Sequence, residues 1–450
     1  MGRLFGTDGI RGVANTELTC ELAVKVGKAA AKVLISGSDN RHPKVLIGRD
    51  TRISGNMLEG ALGAGFCSMG VNVVLLGAVP TPAVAHLVQE CGADAGVMIS
   101  ASHNPAEYNG IKIFNGDGFK LSDELEDKIE DMMNSAQLNE SPPTGGELGH
   151  ITSDKQAVHN YIEKLMSTIE SDLSGMSIAL DCANGSASST ARELFEGLGA
   201  DIHVLADQPD GVNINLDCGS THMDMLTEFV IENKCDVGFA FDGDADRCLA
   251  VDETGSLIDG DNIMAIISNQ FKQDGKLNKN AVVATVMSNM GFFKFASEYG
   301  IECVTTKVGD RYVLEEMLKN GYSIGGEQSG HIIFLDHANT GDGQLTAVQL
   351  AAILKKTGKP ASKLAAIMNV YPQVLINVKV SPEGKEKLKT DREIADTIKS
   401  VEQELDGDGR VLVRASGTEP LIRVMMEGRV FDQIEPMAKR IADLIAERLS

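Results

Sequence analysis

The chain has 450 residues, 43% of them hydrophobic, and at about 100–200 residues per domain this predicts two to four domains. It carries 41 basic against 64 acidic residues, a net charge of −23, and no tryptophan, which argues against nucleic acid as a partner. No stretch approaches the about 20 apolar residues of a membrane span, so a membrane partner is not expected either.

An acidic protein still binds an anion where arginines, backbone N–H groups or a metal reverse the local field. Its cysteines are scattered without a C-x-x-C pair. They read as reduced thiols, and the expected location is cytoplasmic.

From Lys44, "KVLIGRDTRISGNMLEGALGAGFCSMGVNVVLL" gives an apolar strand, a polar loop, a helix, a glycine and a second strand. The next strand, Ala95 to Ile99, ends before Ser100, Ser102 and His103, and Asn104-Pro105 marks a turn. Ligands bind at such strand ends in open α/β sheets. A serine there can carry a phosphoryl group, attack as a hydrolase nucleophile, or cap a helix. Neither a G-x-S-x-G elbow nor an orienting carboxylate is visible to support the hydrolase. Residues 135–155, rich in Ser, Pro, Gly and charge, form a connector.

The pattern returns from Ser177 as "SIALDCANGSASSTARELFEGLGADIHVL", followed by "VGFAFDGDADRCLAVDE" at 237–253. Asp242, Asp244 and Asp246 alternate on a turn opened by Gly243 and Ala245. Three carboxylates so close repel one another unless a cation lies between them, and hard oxygen ligands point to Mg²⁺ or Ca²⁺. An EF-hand loop fails because Arg247 replaces the required glycine, and because the apolar strand from Cys248 to Val251 cannot curl back to deliver Glu253. An aspartyl nucleophile of the D-x-D-x-T type fails because Arg247 and Cys248 follow.

A third copy, "AVVATVMSNMGFFKFASEYGIECVTT", runs from Ala281 and leads to "GYSIGGEQSGHIIF" at 321–334, with Glu327, Ser329 and His331 between strands. Each copy is a β-loop-α-β unit, which predicts parallel strands and a right-handed crossover. Polar connectors between the copies favour three related α/β domains over one large sheet. A last break falls near Tyr371-Pro372. Beyond it, strands at Val374 to Val380, Val411 to Val413 and Ile422 to Met426 flank two charged helices in a smaller α+β domain. There "VLVRASGTEPLIRV" (411–424) sets Arg414, Ser416, Gly417 and Thr418 after a strand, a donor set suited to phosphate or to an ordinary hairpin turn. The resulting domain boundaries are 1–152, 153–253, 254–369 and 370–450.

"SASHNP", "DGDADR", "GGEQSGH" and "RASGTEP", in this order and spacing, resemble the four active-site loops of the α-D-phosphohexomutases, and the match covers essentially the whole chain. "FGTDGIRG" at 5–12, the glutamine of "GEQSG" and "VGDRYV" at 308–313 resemble the branch of that family acting on hexosamine phosphates. The resemblance implies four domains around a central cleft, one loop from each. It implies that Ser102 is a phosphoserine and that Mg²⁺ bridges its phosphate and the three aspartates. Glu327 and Ser329 would then hold sugar hydroxyls. Arg414, Ser416, Gly417, Thr418 and Arg423 would hold the phosphate that is not reacting. Arg11, Lys112, Arg247 and His331 fall at positions lining the reacting end, with proton transfer open between Lys112 and His331. The implied reaction interconverts the 6- and 1-phosphates of glucosamine through a 1,6-bisphosphate, which serves as intermediate and activator. A mannose or glucose phosphate mutase of the same family is the alternative. Oligomeric state stays open, a homodimer included.

Overall fold

In the computed structural model, which describes residues 4–6, 8–35, 43–154, 156–416 and 420–449, strands gather into four sheets. The chain divides into two compact units, one running to Met287 and including Ile301–Ile367, the other made of Ser288–Gly300 and Met368–Ser450.

The first unit holds three sheets. Strands β1 (Ile10–Val13), β2 (Lys44–Arg49), β3 (Asn72–Ala78), β4 (Ala95–Ile99), β5 (Tyr108–Asn115) and β6 (Ile151–Ser153) assemble in the order β1-β5-β4-β2-β3-β6. Strands β7 (Ser177–Asp181), β8 (Asp201–Leu205), β9 (Val237–Phe241), β10 (Cys248–Asp252) and β11 (Leu257–Ile258) form the second, ordered β11-β10-β9-β7-β8. Strands β12 (Ala281–Thr285), β13 (Glu302–Thr306), β14 (Ile324–Gly326) and β15 (Ile332–Phe334) form the third, ordered β13-β12-β14-β15.

Each repeated sequence pattern contributes one parallel pair, β2 with β3, β7 with β8 and β12 with β13. The central strands β4, β9 and β12 are buried at every residue. Sheets covered on both faces need such continuous apolar runs, not the alternation of a half-wetted strand.

What the repeats do not announce is an antiparallel return in each sheet. β4 turns into β5, β9 into β10 and β14 into β15. Ser102 lies on the first of these turns, the three aspartates on the second, and Glu327 to His331 on the third. β4, β9 and β14 each pair parallel with the first strand of their copy, so all three turns sit at equivalent strand ends.

The second unit carries an antiparallel sheet of β16 (Gln373–Lys379), β17 (Gly409–Ala415) and β18 (Leu421–Gly428), ordered β16-β18-β17. The helix Phe431–Leu449 presents Ile434, Ala438, Ile441, Ile445 and Leu449, spaced three or four apart, to Val374, Val378, Ile422, Val424 and Met426.

The helix Met290–Glu298 also belongs here, although its sequence reads as part of the third repeat. The Met290 N–H donates to Glu427 Oε2 at 2.9 Å. Asn289 both donates to the Tyr371 carbonyl (3.0 Å) and accepts from the Tyr371 N–H (2.9 Å). Tyr371 is therefore pinned within this unit, and the change of unit falls earlier, at Ile367/Met368.

Candidate active site

Ser102 is buried on the β4–β5 turn, where no helix begins, so it caps nothing. Its N–H donates to Ser100 Oγ at 2.9 Å, which makes Ser100 a support. Its own hydroxyl donates to Asp242 Oδ2 at 2.6 Å, across 140 residues of sequence. The strand-end serine and the acidic turn therefore share one site.

Asp242, Asp244 and Asp246 are buried, and each offers a carboxylate oxygen within 4.8 Å of the other two. Thr81 Oγ1 and Lys112 Nζ donate to Asp244 Oδ2 at 2.5 and 2.6 Å. Among the described residues, Asp244 Oδ1 and Asp246 Oδ1 are buried with no hydrogen-bond partner. Burial, with Asp246 and Asp244 beside it, pushes the Asp242 carboxyl up to about 8. Three crowded carboxylates with two orphaned oxygens fit a hard divalent cation, which would satisfy both oxygens and relieve the repulsion. Glu253, the twelfth-position ligand of an EF-hand, instead accepts from the Ser362 N–H at 3.1 Å.

Cationic groups surround the triad. Burial alone would lower the proton affinity of Lys112, but Asp244 and Asp246 outweigh it and hold the ammonium above its usual range. Lys112 Nζ is also 3.6 Å from Asp246 Oδ2. His331 sits buried with Nδ1 3.7 Å from the same oxygen. Its Nε2 accepts the Gly341 N–H at 3.1 Å, which selects the tautomer protonated on Nδ1. Arg247, half-buried, reaches His103 Nδ1 with Nη1 at 3.2 Å, and His103 Nδ1 is 3.4 Å from Ser102 Oγ. Arg11 pairs with Asp8 at 3.3 Å, and Lys120 lies 3.6 Å from Asp8.

Ser329 is exposed and half-buried Glu327 accepts the Gly309 N–H at 3.0 Å. Gln328 Nε2 donates to Asp259 Oδ2 at 3.0 Å. In the second unit, Arg414 lies on β17 directly opposite Arg423 on β18, so the segment is a hairpin carrying two facing guanidinium groups. Burial and Arg423 both depress the Arg414 proton affinity. The Ser416 N–H donates to the Leu421 carbonyl at 2.9 Å, while Gly417 and Thr418 lie outside the described residues.

Sequence reading missed Thr81, Lys120 and Asp310. Lys120 pairs with Asp310, whose carboxylate is 3.7 Å from His331 Nε2. Asp310 falls inside "VGDRYV", a signal of resemblance without an assigned role, and the Thr-Pro at 81–82 reads only as a helix start.

Comparison with known proteins bears on this arrangement. Profiles of phosphoglucomutase/phosphomannomutase alpha/beta/alpha domains I, II and III match residues 2–140, 159–255 and 259–371, and that of the C-terminal domain matches 375–444. The chain belongs to the phosphoglucomutase/phosphomannomutase family. It therefore has the family's four domains, three of the alpha/beta/alpha kind and one C-terminal. A family member from Clostridium novyi (strain NT), named phosphoglucosamine mutase, is 55% identical over 448 residues, covering 100% of this chain and 99% of its own. The crystal structure of a phosphoglucomutase/phosphomannomutase family protein from Burkholderia thailandensis shares the fold, with a TM-score of 0.83 at 24% identity over 100% of this chain and 98% of that one. Aspergillus fumigatus N-acetylphosphoglucosamine mutase, solved with GlcNAc-6P and magnesium, has a TM-score of 0.67 at 19% identity over 99% of this chain and 96% of its own. A variant of that fungal enzyme has been solved with glucose 1,6-bisphosphate.

Proposed function

We propose that this protein is a phosphoglucosamine mutase. It interconverts glucosamine 6-phosphate and glucosamine 1-phosphate, with Ser102 as phosphoryl carrier and a 1,6-bisphosphate as intermediate and activator. The observation that carries this reading is the Ser102 hydroxyl donating to Asp242 at 2.6 Å beside a buried acidic triad, in a chain 55% identical over its length to a phosphoglucosamine mutase.

Asp242, Asp244 and Asp246, with the phosphate carried on Ser102, would hold Mg²⁺. When bound, the ion supplies positive charge that offsets the phosphate's roughly −1.5 to −2 beside three carboxylates. Phosphoryl transfer leaves the protein mainly positioning and charge stabilisation to perform. Arg247 and Arg11 supply positive charge at the reacting end, and Arg247 also fixes His103 next to the carrier. Lys112 has three N–H donors, one on Asp244 and one facing Asp246, which leaves a third for the substrate hydroxyl. Both nitrogens of His331 face protein groups, so of the two candidates we assign proton donation, to the oxygen that gives up the phosphoryl group, to the Lys112 ammonium. Glu327 and Ser329 hold sugar hydroxyls. Arg414, Ser416, Gly417, Thr418 and Arg423 anchor the distal phosphate, with two facing guanidinium groups supporting that assignment.

The boundaries proposed for the four domains are near residues 152, 253 and 369; the first falls in the gap between the segments matched at 2–140 and 159–255, and the others lie just inside the ends of the segments 159–255 and 259–371. Among the described residues no helix is long and apolar enough to cross a membrane. The highly polar substrate is the ground for proposing a cytoplasmic location.

The test is a phosphopeptide map with turnover assays on glucosamine, glucose and mannose 6-phosphates. Phosphate on Ser102, no turnover in a folded Ser102→Ala variant, and the highest kcat/KM on the amino sugar are expected. Phosphate on Ser100 or an active alanine variant would refute the carrier assignment, and a higher kcat/KM on glucose or mannose phosphate would refute the substrate.

A further inference from the structure

The carrier serine is held in an unfavourable backbone conformation. Ser102 has φ +52°, in the left-handed region that a residue with a Cβ disfavours. Such a conformation persists only where its surroundings over-determine it. At Ser102 both peptide groups are engaged. The N–H is held by Ser100, and the carbonyl accepts two donors, Arg52 Nη2 at 3.0 Å and Asn215 Nδ2 at 2.9 Å. The same two side chains hold the Asn104 carbonyl, Asn215 at 3.1 Å.

These donors come from different sheets. Arg52 follows β2 of the first sheet and is fully buried, its charge balanced by Asp50, which accepts from both its guanidinium and its N–H. Asn215 lies between β8 and β9 of the second sheet, itself at φ +58°, with its N–H donating to the Ala183 carbonyl at 2.9 Å. Gly243, inside the acidic turn, leaves room for the contact. A Cβ there would lie 2.5 Å from the Ser102 carbonyl oxygen and 2.8 Å from Asn215 Nδ2. The bonds from Arg52 Nη2 and Asn215 Nδ2 run to main-chain oxygens and not to the aspartates.

We propose that Asn215, together with Arg52, is a positioning residue for phosphoryl transfer. It clamps the Ser102 carbonyl from the second sheet and so keeps the carrier hydroxyl aimed at Asp242. The clamp rests on the reading of Ser102 as phosphoryl carrier. Without the amide the carbonyl is held from the first sheet alone, by Arg52, and Ser102 can shift toward an ordinary backbone angle, which swings Oγ away from the triad. Displacement of a reacting group by about 1 Å costs about a hundredfold in rate.

Asn215→Gly is the informative variant, because glycine accepts the positive φ and only the amide donors are lost. Asn215→Asp is its companion, keeping size and left-handed tolerance while replacing donors by acceptors. Wild type and both variants are mapped for phosphate on Ser102 and assayed with glucosamine 6-phosphate. The expected result is a kcat lower by tenfold or more in both variants, with KM within about twofold, since the sugar contacts lie on other loops. A kcat within threefold of wild type in either variant overturns the proposal. So does a KM that rises in step with the loss of kcat, which marks a general disturbance. A wild-type protein without phosphate on Ser102 removes the carrier reading itself. Phosphorylated Ser102 with unaffected variants removes the clamp alone.

Discussion

Replacing Thr81 by valine removes one hydroxyl from the support of the acidic triad and keeps the shape. Thr81 is fully buried at the start of the helix Thr81–Glu90, and its Oγ1 donates to Asp244 Oδ2 at 2.5 Å. Its N–H separately donates to the Asp244 carbonyl at 2.9 Å, and valine retains that bond. A hydrogen bond to a charged group contributes about 1.5–3 kcal/mol. Lys112 still holds the same oxygen at 2.6 Å, so the loss belongs at the low end of that range. Near 1.4 kcal/mol per factor of ten, this corresponds to about tenfold weaker metal binding. That agrees with the ten- to hundredfold cost of removing a residue that orients a metal ligand. Isothermal titration of Thr81→Val with Mg²⁺ should show a Kd raised about tenfold, with sugar KM at saturating Mg²⁺ within twofold of wild type. An unchanged Mg²⁺ Kd in a folded variant would refute the reasoning, because the Thr81 bond would then not orient a metal ligand.

Two further outcomes are expected. Arg414→Ala should leave Ser102 phosphorylatable but raise KM for sugar phosphate ten- to hundredfold and increase bisphosphate release, since one charge-assisted bond of about 1.5–3 kcal/mol is lost; steady-state kinetics with detection of free bisphosphate decides it, and unchanged values would remove this hairpin as the distal anchor. Burial pushes the Asp181 carboxyl up to about 6 despite the Ala183 and Gly219 N–H groups it accepts. Its folded value thus lies above the unfolded one, so its contribution is fully present below about pH 4 and is lost as pH rises through 6, by about 3 kcal/mol in total. Denaturant titrations at pH 4.5 and 7.5 should show wild type losing more stability, relative to Asp181→Asn, at the higher pH; parallel curves would contradict it.

The parts of the site that were legible in the sequence are those written locally. Asp242, Asp244 and Asp246 fall within five residues of one another, so their mutual repulsion follows from spacing alone, and the buried cluster they form is what that spacing implies. Ala95–Ile99 reads as a strand because a covered parallel strand is a continuous apolar run, and it is one. The Thr81 contact spans 163 residues and the Asn215 contact 113. No local pattern encodes such pairs. Thr81 looks like a helix start and Asn215 like a loop asparagine until the chain is folded. The helix Met290–Glu298 reads as part of the third repeat, and the domain III profile over 259–371 includes it, but its tie to Glu427 was hidden for the same reason. Its apolar periodicity shows that it buries a face, while Glu427, which receives its first N–H, lies 137 residues away.

Backbone strain was equally hidden, and part of it falls at the candidate site. Ser102, Asn215 and Ala245 all have positive φ without being glycine. Each is satisfied by a neighbour from another segment, Ala245 through its carbonyl, which accepts the Gly343 N–H at 3.0 Å. A sequence bearing alanine or serine at such positions gives no warning, since both residues prefer ordinary angles. The strain follows from topology. Ser102 and Ala245 sit on turns of two different sheets, and those turns meet through the Ser102–Asp242 hydrogen bond. The same convergence sets cations among the carboxylates of an acidic protein. Lys112, Arg247, Arg11 and Lys120 lie among Asp242, Asp244, Asp246, Asp8 and Asp310, so positive charge is held at the candidate site of a chain whose net charge is −23.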